Sequence, residues 1–343
     1  MDKIAIVGAT GATGQELVNL ALKEGFSVED LVLIASTQSV NKQVMIQGRP
    51  CVIQPLTALD QPLDAIFLAA GQTVSTLVKD KIKPKGFVID LSSKFRQDPK
   101  VPLIIPEINP EDFDPNQDNW VASPNCVTTL QLMVLAPIFK HYAPRKIILS
   151  TYQAASGAGL KAIDELKKES QAFLHNQPYH HQTFQDPYAF NLFTHNAPFA
   201  CQEHSDEEMK IRLESQKILK NKNLKITATC VRVPTLRAHA LSAYVEFLDP
   251  VERDDVYKIL DQAPGIRRYE DFEKNRFATP QIASCQDEVF YGRIRQDDEC
   301  SLWFWIVGDQ LLKGAALNAW QIYQLKRRSH GLHTATGTKS TCF

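Results

Sequence analysis

No stretch of this 343-residue chain is apolar for long enough to cross a bilayer. A membrane helix needs about 20 such residues, and runs such as Asp64-Ala65-Ile66-Phe67-Leu68-Ala69-Ala70 stop far short. No excess of charge appears either: 38 Lys and Arg stand against 39 Asp and Glu, a net charge of -1. A surface so balanced has no electrostatic reason to seek nucleic acid or an anionic membrane. The seven cysteines, at 51, 126, 201, 230, 285, 300 and 342, contain no C-x-x-C pair. An odd, dispersed set argues against a disulfide framework and for a reducing, cytoplasmic compartment. Metal-ligand spacing is missing too. His175, His180 and His181 have no helical register and no cysteine close by, so they read as a polar loop and no metal site is expected. There are no repeats or low-complexity tracts. Met1-Asp2-Lys3 leads straight into the first strand, so no signal or transit peptide is expected.

What is present is an ordinary globular composition, 44% hydrophobic and 22% charged, in a chain long enough for two domains. Lys3-Ile4-Ala5-Ile6-Val7 is a short apolar strand. Gly8-Ala9-Thr10-Gly11-Ala12-Thr13-Gly14 follows at once, and a helical pattern then carries Leu17, Val18, Ala21 and Leu22. Strand, glycine turn and helix is the context that makes three glycines a dinucleotide-binding turn. Gly8 permits the sharp turn, Gly11 lets the backbone approach a pyrophosphate, and Gly14 lets helix and strand pack closely. The helix N-terminus then faces the phosphates.

The second strand, 31–35, ends in Ser36-Thr37-Gln38-Ser39. An NAD site usually carries an Asp or Glu here for the ribose hydroxyls. Its absence leans toward NADP, with Lys42 and the hydroxyls of Ser36 and Ser39 as the groups available to a 2′-phosphate. Strands at 65–69 and 86–91 extend an open parallel sheet. Gly71 lies just past the first, where it can approach a cofactor. Ser92-Ser93-Lys94-Phe95-Arg96 lies past the second, at the carboxyl end where such sheets bind ligands. Arg96 reads either as a solvated charge or as an anion contact.

Ser123-Pro124-Asn125-Cys126-Val127-Thr128-Thr129 presents one cysteine at the start of an apolar helical run, which Pro137 should end or kink. With Asn125 as N-cap, the helix dipole would favour a Cys126 thiolate, a nucleophile. A buried structural cysteine is the competing reading. Beyond a strand at 146–154, Ala155-Ser156-Gly157-Ala158-Gly159 is either a mere connection or a turn that brings Gln153 and backbone amides toward a ligand. Residues 174–198 are loop-rich. Ser205-Asp206-Glu207-Glu208 opens a helix with a capping signature, on which Glu207 and Lys210 lie three apart; an exposed ion pair worth tenths of a kcal/mol is the plain interpretation. Strands at 224–233 and 241–248, taken as successive antiparallel neighbours, put Arg232 and His239 at one end of a second, mainly antiparallel sheet. Strands at 289–295 and 302–307 complete it. A C-terminal helix runs from Asp309-Gln310-Leu311-Leu312 to about Leu325, and the tail from Lys326 onward should fray.

In order along the chain, the glycine turn, Phe95-Arg96, Ser123-Pro124-Asn125-Cys126, Thr151-Tyr152-Gln153-Ala154-Ala155-Ser156-Gly157-Ala158-Gly159, Glu207-Glu208-Met209-Lys210, Arg232 with Ala238-His239, and Asp309-Gln310-Leu311-Leu312-Lys313-Gly314-Ala315-Ala316 resemble the aspartate-β-semialdehyde dehydrogenase family over residues 3 to about 325. The resemblance implies a Rossmann-like dinucleotide-binding domain, 1–125 plus a C-terminal helix at 312–343, and an α+β catalytic and dimerisation domain, 126–311. It implies NADPH-dependent reduction of aspartyl phosphate to aspartate semialdehyde, in lysine, threonine and methionine biosynthesis. In that pattern Cys126 is the nucleophile that carries a thioacyl group, His239 the acid/base and Gln153 the orienting amide. Arg232 binds the α-carboxylate, Glu207 the ammonium, and Lys210 and Arg96 the phosphate. Asn125 and Gln310 lie near the nicotinamide, and Ser156 and Gly157 join the glycine turn, Ser36, Gln38, Ser39 and Gly71 in holding NADP. A homodimer or dimer of dimers is implied.

Three departures stand out: Gln38 where an arginine is common, Ser123 for asparagine, and Ala240-Leu241 for a polar pair after the histidine. N-acetyl-γ-glutamyl-phosphate reductase shares the expected fold and chemistry, but has no need of Glu207 for a free ammonium. A catalytically dead sensor would keep the glycine turn without needing Cys126, Gln153, Arg232 and His239.

Overall fold

The computed structural model describes residues 2–82 and 85–329. Among them one compact unit comprises the chain up to Asn125 together with the stretch from Ala315 onward, and the other comprises Cys126–Gly314.

The first unit is built on five short parallel strands: β1 (Ile4–Val7), β2 (Leu31–Ile34), β3 (Ala65–Leu68), β4 (Phe87–Asp90) and β5 (Trp120–Ala122), in the order β2-β1-β3-β4-β5. The first four are buried at every position, as strands covered on both faces must be. Helices α1 (Ala12–Lys23) and α2 (Gln72–Leu77) follow β1 and β3. A C-terminal helix, Leu317–Ser329, brings Trp320 and Tyr323 onto the sheet, where the Trp320 and Phe67 rings stack with centroids 5.6 Å apart. That helix runs one turn past the expected end at Leu325. The tail beyond Ser329 lies outside the described residues. Because the strand order reverses between β1 and β3, the crevice beyond their carboxyl ends is where a sheet of this kind takes a ligand.

The second unit opens with α3 (Cys126–Phe139), which is apolar on every side and buried from Val127 to Ala136, as a core helix should be. It passes through Pro137 and ends two residues later. Then come β6 (Pro144–Gln153), α4 (Leu160–Leu174), β7 (Phe193–Thr194), α5 (Asp206–Ile218), β8 (Lys225–Arg232), β9 (His239–Phe247), α6 (Arg253–Gln262), β10 (Ile266–Arg268), β11 (Val289–Asp298) and β12 (Ser301–Gly308). Their sheet has the order β10-β11-β12-β9-β6-β8-β7, with β6/β8 and β10/β11 parallel and the other pairs antiparallel. Strands β8 and β9 are therefore not neighbours, as the sequence suggested: β6 lies between them. The capping box of α5 forms as expected, Glu208 N donating to Ser205 Oγ at 3.3 Å and Ser205 N to the Glu208 carboxylate at 2.9 Å.

One face of this sheet carries Ile148, Tyr152, Tyr244, Trp303 and Trp305, set side by side by the β6/β9/β12 register, with Ile148 and Tyr152 exposed. Cys51, Cys126, Cys201, Cys230 and Cys300 are free thiols. Cys285 is disulfide-bonded, a departure from the expectation of unpaired cysteines.

Candidate active site

In the first unit the candidate ligand-facing parts are mostly backbone. Gly8 has φ +90°, and a Cβ there would lie 2.5 Å from the Ala69 carbonyl oxygen. A Cβ on Gly14 would lie 2.1 Å from Gly8 O, so α1 can press onto the turn only with glycine at that position. Gly11 is the N-cap of α1 and no side chain caps the helix. The amides of Ala12, Thr13 and Gly14 thus open the helix without a side-chain acceptor, and Thr10 borders them. Uncapped amides beside a turn with no Cβ bulk fit a dinucleotide pyrophosphate. Past β2, Ser36, Gln38 and Ser39 form a turn closed by Ser39 N to Ser36 O at 2.8 Å, with Gln38 exposed. Past β3, Gly71 (φ +84°) is the N-cap of α2. Three adjacent strands therefore present their candidate cofactor residues at the same edge. Past β4, Arg96 is 7% exposed, its Nε donating to Ser123 O at 2.9 Å and its Nη2 to Leu91 O at 2.7 Å. It is not a solvated surface charge. Asn125, also buried, ends the unit.

In the second unit the candidate ligand-facing parts are side chains. Cys126 is the first residue of α3 and half-buried. Gly314 lies against it, where a Cβ would come within 3.0 Å of the Cys126 Cβ. Gln153 and Arg232 are register partners at the carboxyl ends of parallel β6 and β8, and His239 begins β9 on the other side of β6. Ala154, the next residue of β6's chain, ties the outer two together. Its C=O accepts from Arg232 Nη1 at 3.2 Å and its N–H donates to His239 Nδ1 at 3.1 Å. Gly157 closes the cluster: a Cβ there would stand 2.9 Å from Arg232 Nη1 and 3.1 Å from His239 Nε2. Gln153, 1% exposed, is held by Nε2 to Thr151 Oγ1 at 3.2 Å.

His239 is fully buried; burial first, and then the Arg232 charge, push its imidazole well below the usual histidine range. It is neutral at pH 7, and because Nδ1 accepts from Ala154, its proton is on Nε2. That nitrogen has no partner among the described residues, so it is a donor available to a ligand oxygen. Ala238 just before it holds φ +67°, a strained value for a residue with a Cβ, and its N–H is fixed by Gln310 Oε1 at 2.9 Å. Gln310 Nε2 in turn donates to Ser156 Oγ. Within this unit Gln310 and Ser156 clamp the turn that presents His239.

Glu207, on α5, is 7% exposed, so the exposed-pair interpretation fails. Lys210 Nζ lies 3.7 Å from Glu207 and closer, 2.7 Å, to Asp206. Two further participants carried no signal in the sequence. His195, which stands 2.7 Å from Arg232 Nη2, looked like any polar loop residue until β7 paired with β8. Ala154 acts through its peptide alone, which residue type does not report.

A family model described as semialdehyde dehydrogenase, NAD binding domain, matches residues 3–115, and one described as semialdehyde dehydrogenase, dimerisation domain, matches residues 135–313. An aspartate-semialdehyde dehydrogenase of Synechocystis sp. is 40% identical over 327 residues, covering 94% of this chain and 96% of the relative. One of Bacillus subtilis is 35% identical over 331 residues, covering 93% and 95%. A crystal structure of aspartate semialdehyde dehydrogenase II from Vibrio cholerae, complexed with ASA, superposes with a TM-score of 0.89 at 33% identity, covering 96% of this chain and 99% of that one. This chain belongs to the semialdehyde dehydrogenase family.

Proposed function

We propose that this chain is an aspartate-semialdehyde dehydrogenase, converting L-aspartyl 4-phosphate and NADPH to L-aspartate 4-semialdehyde, phosphate and NADP in the synthesis of lysine, threonine and methionine. The observation that carries the reading is the convergence of Gln153, Arg232 and a donor-ready His239 on three strand ends, in the unit whose first residue is Cys126.

The Cys126 thiolate attacks the acyl carbon, and phosphate leaves with the bonding electrons, so that one difficult step becomes two. Gln153 orients the acyl oxygen. The Nε2–H of His239 donates to that oxygen whenever it becomes an anion, in an environment dry enough to strengthen the bond. Arg232 pairs with the α-carboxylate through a planar guanidinium. Glu207 faces the ammonium, and Lys210 and Arg96 hold the phosphate. Bound NADPH supplies the hydride that reduces the thioester. The resulting hemithioacetal then collapses, returning the electrons of the C–S bond to Cys126.

Residues 1–125 with the C-terminal helix take the cofactor through the glycine turn, Ser36, Gln38, Ser39 and Gly71, with NADP preferred because no carboxylate follows β2. Asn125, Ser156, Gly157 and Gln310 border the nicotinamide. Residues 126–311 carry catalysis and dimerisation; the aromatic face of Tyr152, Tyr244, Trp303 and Trp305 is the surface a second copy covers, giving a homodimer or a dimer of dimers. A cytoplasmic setting accords with the five free thiols.

The reverse assay tests this: aspartate semialdehyde, phosphate and NADP or NAD, followed by reduced nicotinamide. Phosphate-dependent turnover, faster with NADP and abolished by Cys126→Ala, is the expected result. A folded protein inactive with both cofactors overturns the assignment.

A further inference from the structure

Arg232 has an unusual environment for a buried cation. It is 4% exposed, yet among the described residues no carboxylate lies within ion-pair distance of it, and its Nε has no hydrogen-bond partner. Its contacts are with a carbonyl oxygen, Ala154 O, and with an imidazole, His195 Nε2. A buried charge normally finds an opposite charge or is costly to keep. Here both partners are neutral acceptors.

His195 reaches that position through the fold. Strand β7 pairs with the carboxyl end of β8, Phe193 opposite Arg232, and His195 N continues the pairing by donating to Cys230 O at 2.8 Å. The pairing ties the His195 main chain to the strand that bears Arg232. Both ring nitrogens of His195 face donors: the Ala197 N–H points at Nδ1 from 3.1 Å and Arg232 Nη2 at Nε2 from 2.7 Å. A neutral imidazole offers one in-plane lone pair, and arginine can only donate. The closer donor, which is also the charged one, claims that lone pair. Nε2 therefore accepts from Arg232, the proton sits on Nδ1, and the Ala197 N–H, unlike that of Ala154 at His239, is not accepted by the ring.

We infer that His195 is a positioning residue for substrate recognition: it holds the Arg232 guanidinium in place as a neutral acceptor and leaves its charge unspent for an incoming carboxylate. The inference rests on the proposed function, in which Arg232 binds the α-carboxylate of the substrate. Burial, and then the Arg232 charge, push the His195 pKa down to about 4, which keeps the ring neutral throughout the working range. A carboxylate at 195 would orient the guanidinium equally well, but would pair with it and compete with the substrate. Histidine supplies the geometry without the competition.

The test is steady-state kinetics of the full-length protein in the reverse direction, with each substrate varied in turn, for wild type, His195→Ala, His195→Gln and His195→Glu. Thermal unfolding of each confirms folding. Loss of one buried hydrogen bond to a charged group corresponds to about tenfold, so His195→Ala should raise KM for aspartate semialdehyde about tenfold. Its kcat should change less, and KM for phosphate and cofactor should hold. His195→Gln, which keeps a neutral acceptor, should recover most of the loss. His195→Glu should be at least as impaired as His195→Ala, although it can hydrogen-bond. A purely structural strap predicts the opposite ranking, with Glu better than Ala, and that ranking would overturn the inference. So would an unchanged KM for aspartate semialdehyde, or a rise in all three KM values together. Wild-type protein without phosphate-dependent turnover removes the functional reading and this inference with it; active wild type with unaffected variants removes the inference alone.

Discussion

The two units present their candidate ligand-facing groups by opposite means. In the first, the turn after β1 works by what it lacks: no Cβ at Gly8, Gly11 or Gly14 and no side chain capping α1. In the second, the cluster is made of side chains brought out of water, with Gln153, Arg232 and His239 at 1%, 4% and 0% exposure. A backbone site is part of the fold, and damage to it is damage to packing. A side-chain site is carried by the fold, and its groups can be removed with the scaffold intact. The difference predicts how each unit responds to substitution.

Cys126→Ala should have the largest functional effect and little structural one. Turnover should fall by about 10³-fold or more, as for loss of a covalent nucleophile, with the thermal midpoint close to wild type. A large drop in that midpoint would make Cys126 a core residue after all. Gly14→Val should do the reverse: with Gly8 O only 2.1 Å from the new Cβ position, the clash should cost roughly 3 kcal/mol or more of stability. Cofactor affinity, read by fluorescence titration, should be lost as well. A stable Gly14→Val protein that still binds NADPH would break the comparison. Arg232→Lys keeps the charge but loses the planar fork, so KM for aspartate semialdehyde should rise by about 10²-fold while cofactor binding is unchanged.

Acid should act mainly on the second unit. His195 and His239 are both held below the ordinary histidine value, chiefly by burial. Below pH about 6.5, the unfolded chain therefore binds protons that the folded chain refuses. Their contribution is fully present above that pH and is lost as pH falls toward the folded-state values, about 4 for His195. For His195, allowing for its partial exposure, this amounts to about 2 kcal/mol. Denaturant unfolding at pH 7.5, 6 and 5 should show the decline, less steep in His195→Gln. The smallest effect belongs to Gln38→Arg, which should improve preference for NADP over NAD by about tenfold, a single added phosphate contact. No change would mean that residue 38 does not face the ribose.

Much of this was legible in the sequence, and the limits are physical. Glycines at 8, 11 and 14 announce a turn because few other residues can occupy it. The capping box at Ser205 and Glu208 is local, three residues apart, and formed as read. Cys126 at the head of an apolar run was equally plain, since α3 is defined by its own composition. Strand order was not legible. That β6 inserts between β8 and β9 follows from pairings over about 80 to 100 residues of chain, which no local pattern encodes, and only this insertion makes Ala154 the link between Arg232 and His239. His195 was hidden for the same reason. The burial of Glu207, which separates a ligand group from a surface ion pair, likewise depends on what α5 packs against.

The backbone of Ala154 holds Arg232 by its carbonyl oxygen and His239 by its N–H, across two successive peptide groups. Anyone retuning the enzyme for a longer or bulkier acyl chain would begin by shifting Arg232, the proposed carboxylate anchor, and any shift that drags residue 154 tilts the imidazole as well. In the proposed mechanism, selectivity and rate are thus geared together through the backbone of one residue. Redesign has either to cut that linkage, by giving the arginine another acceptor, or to move both groups as a single piece.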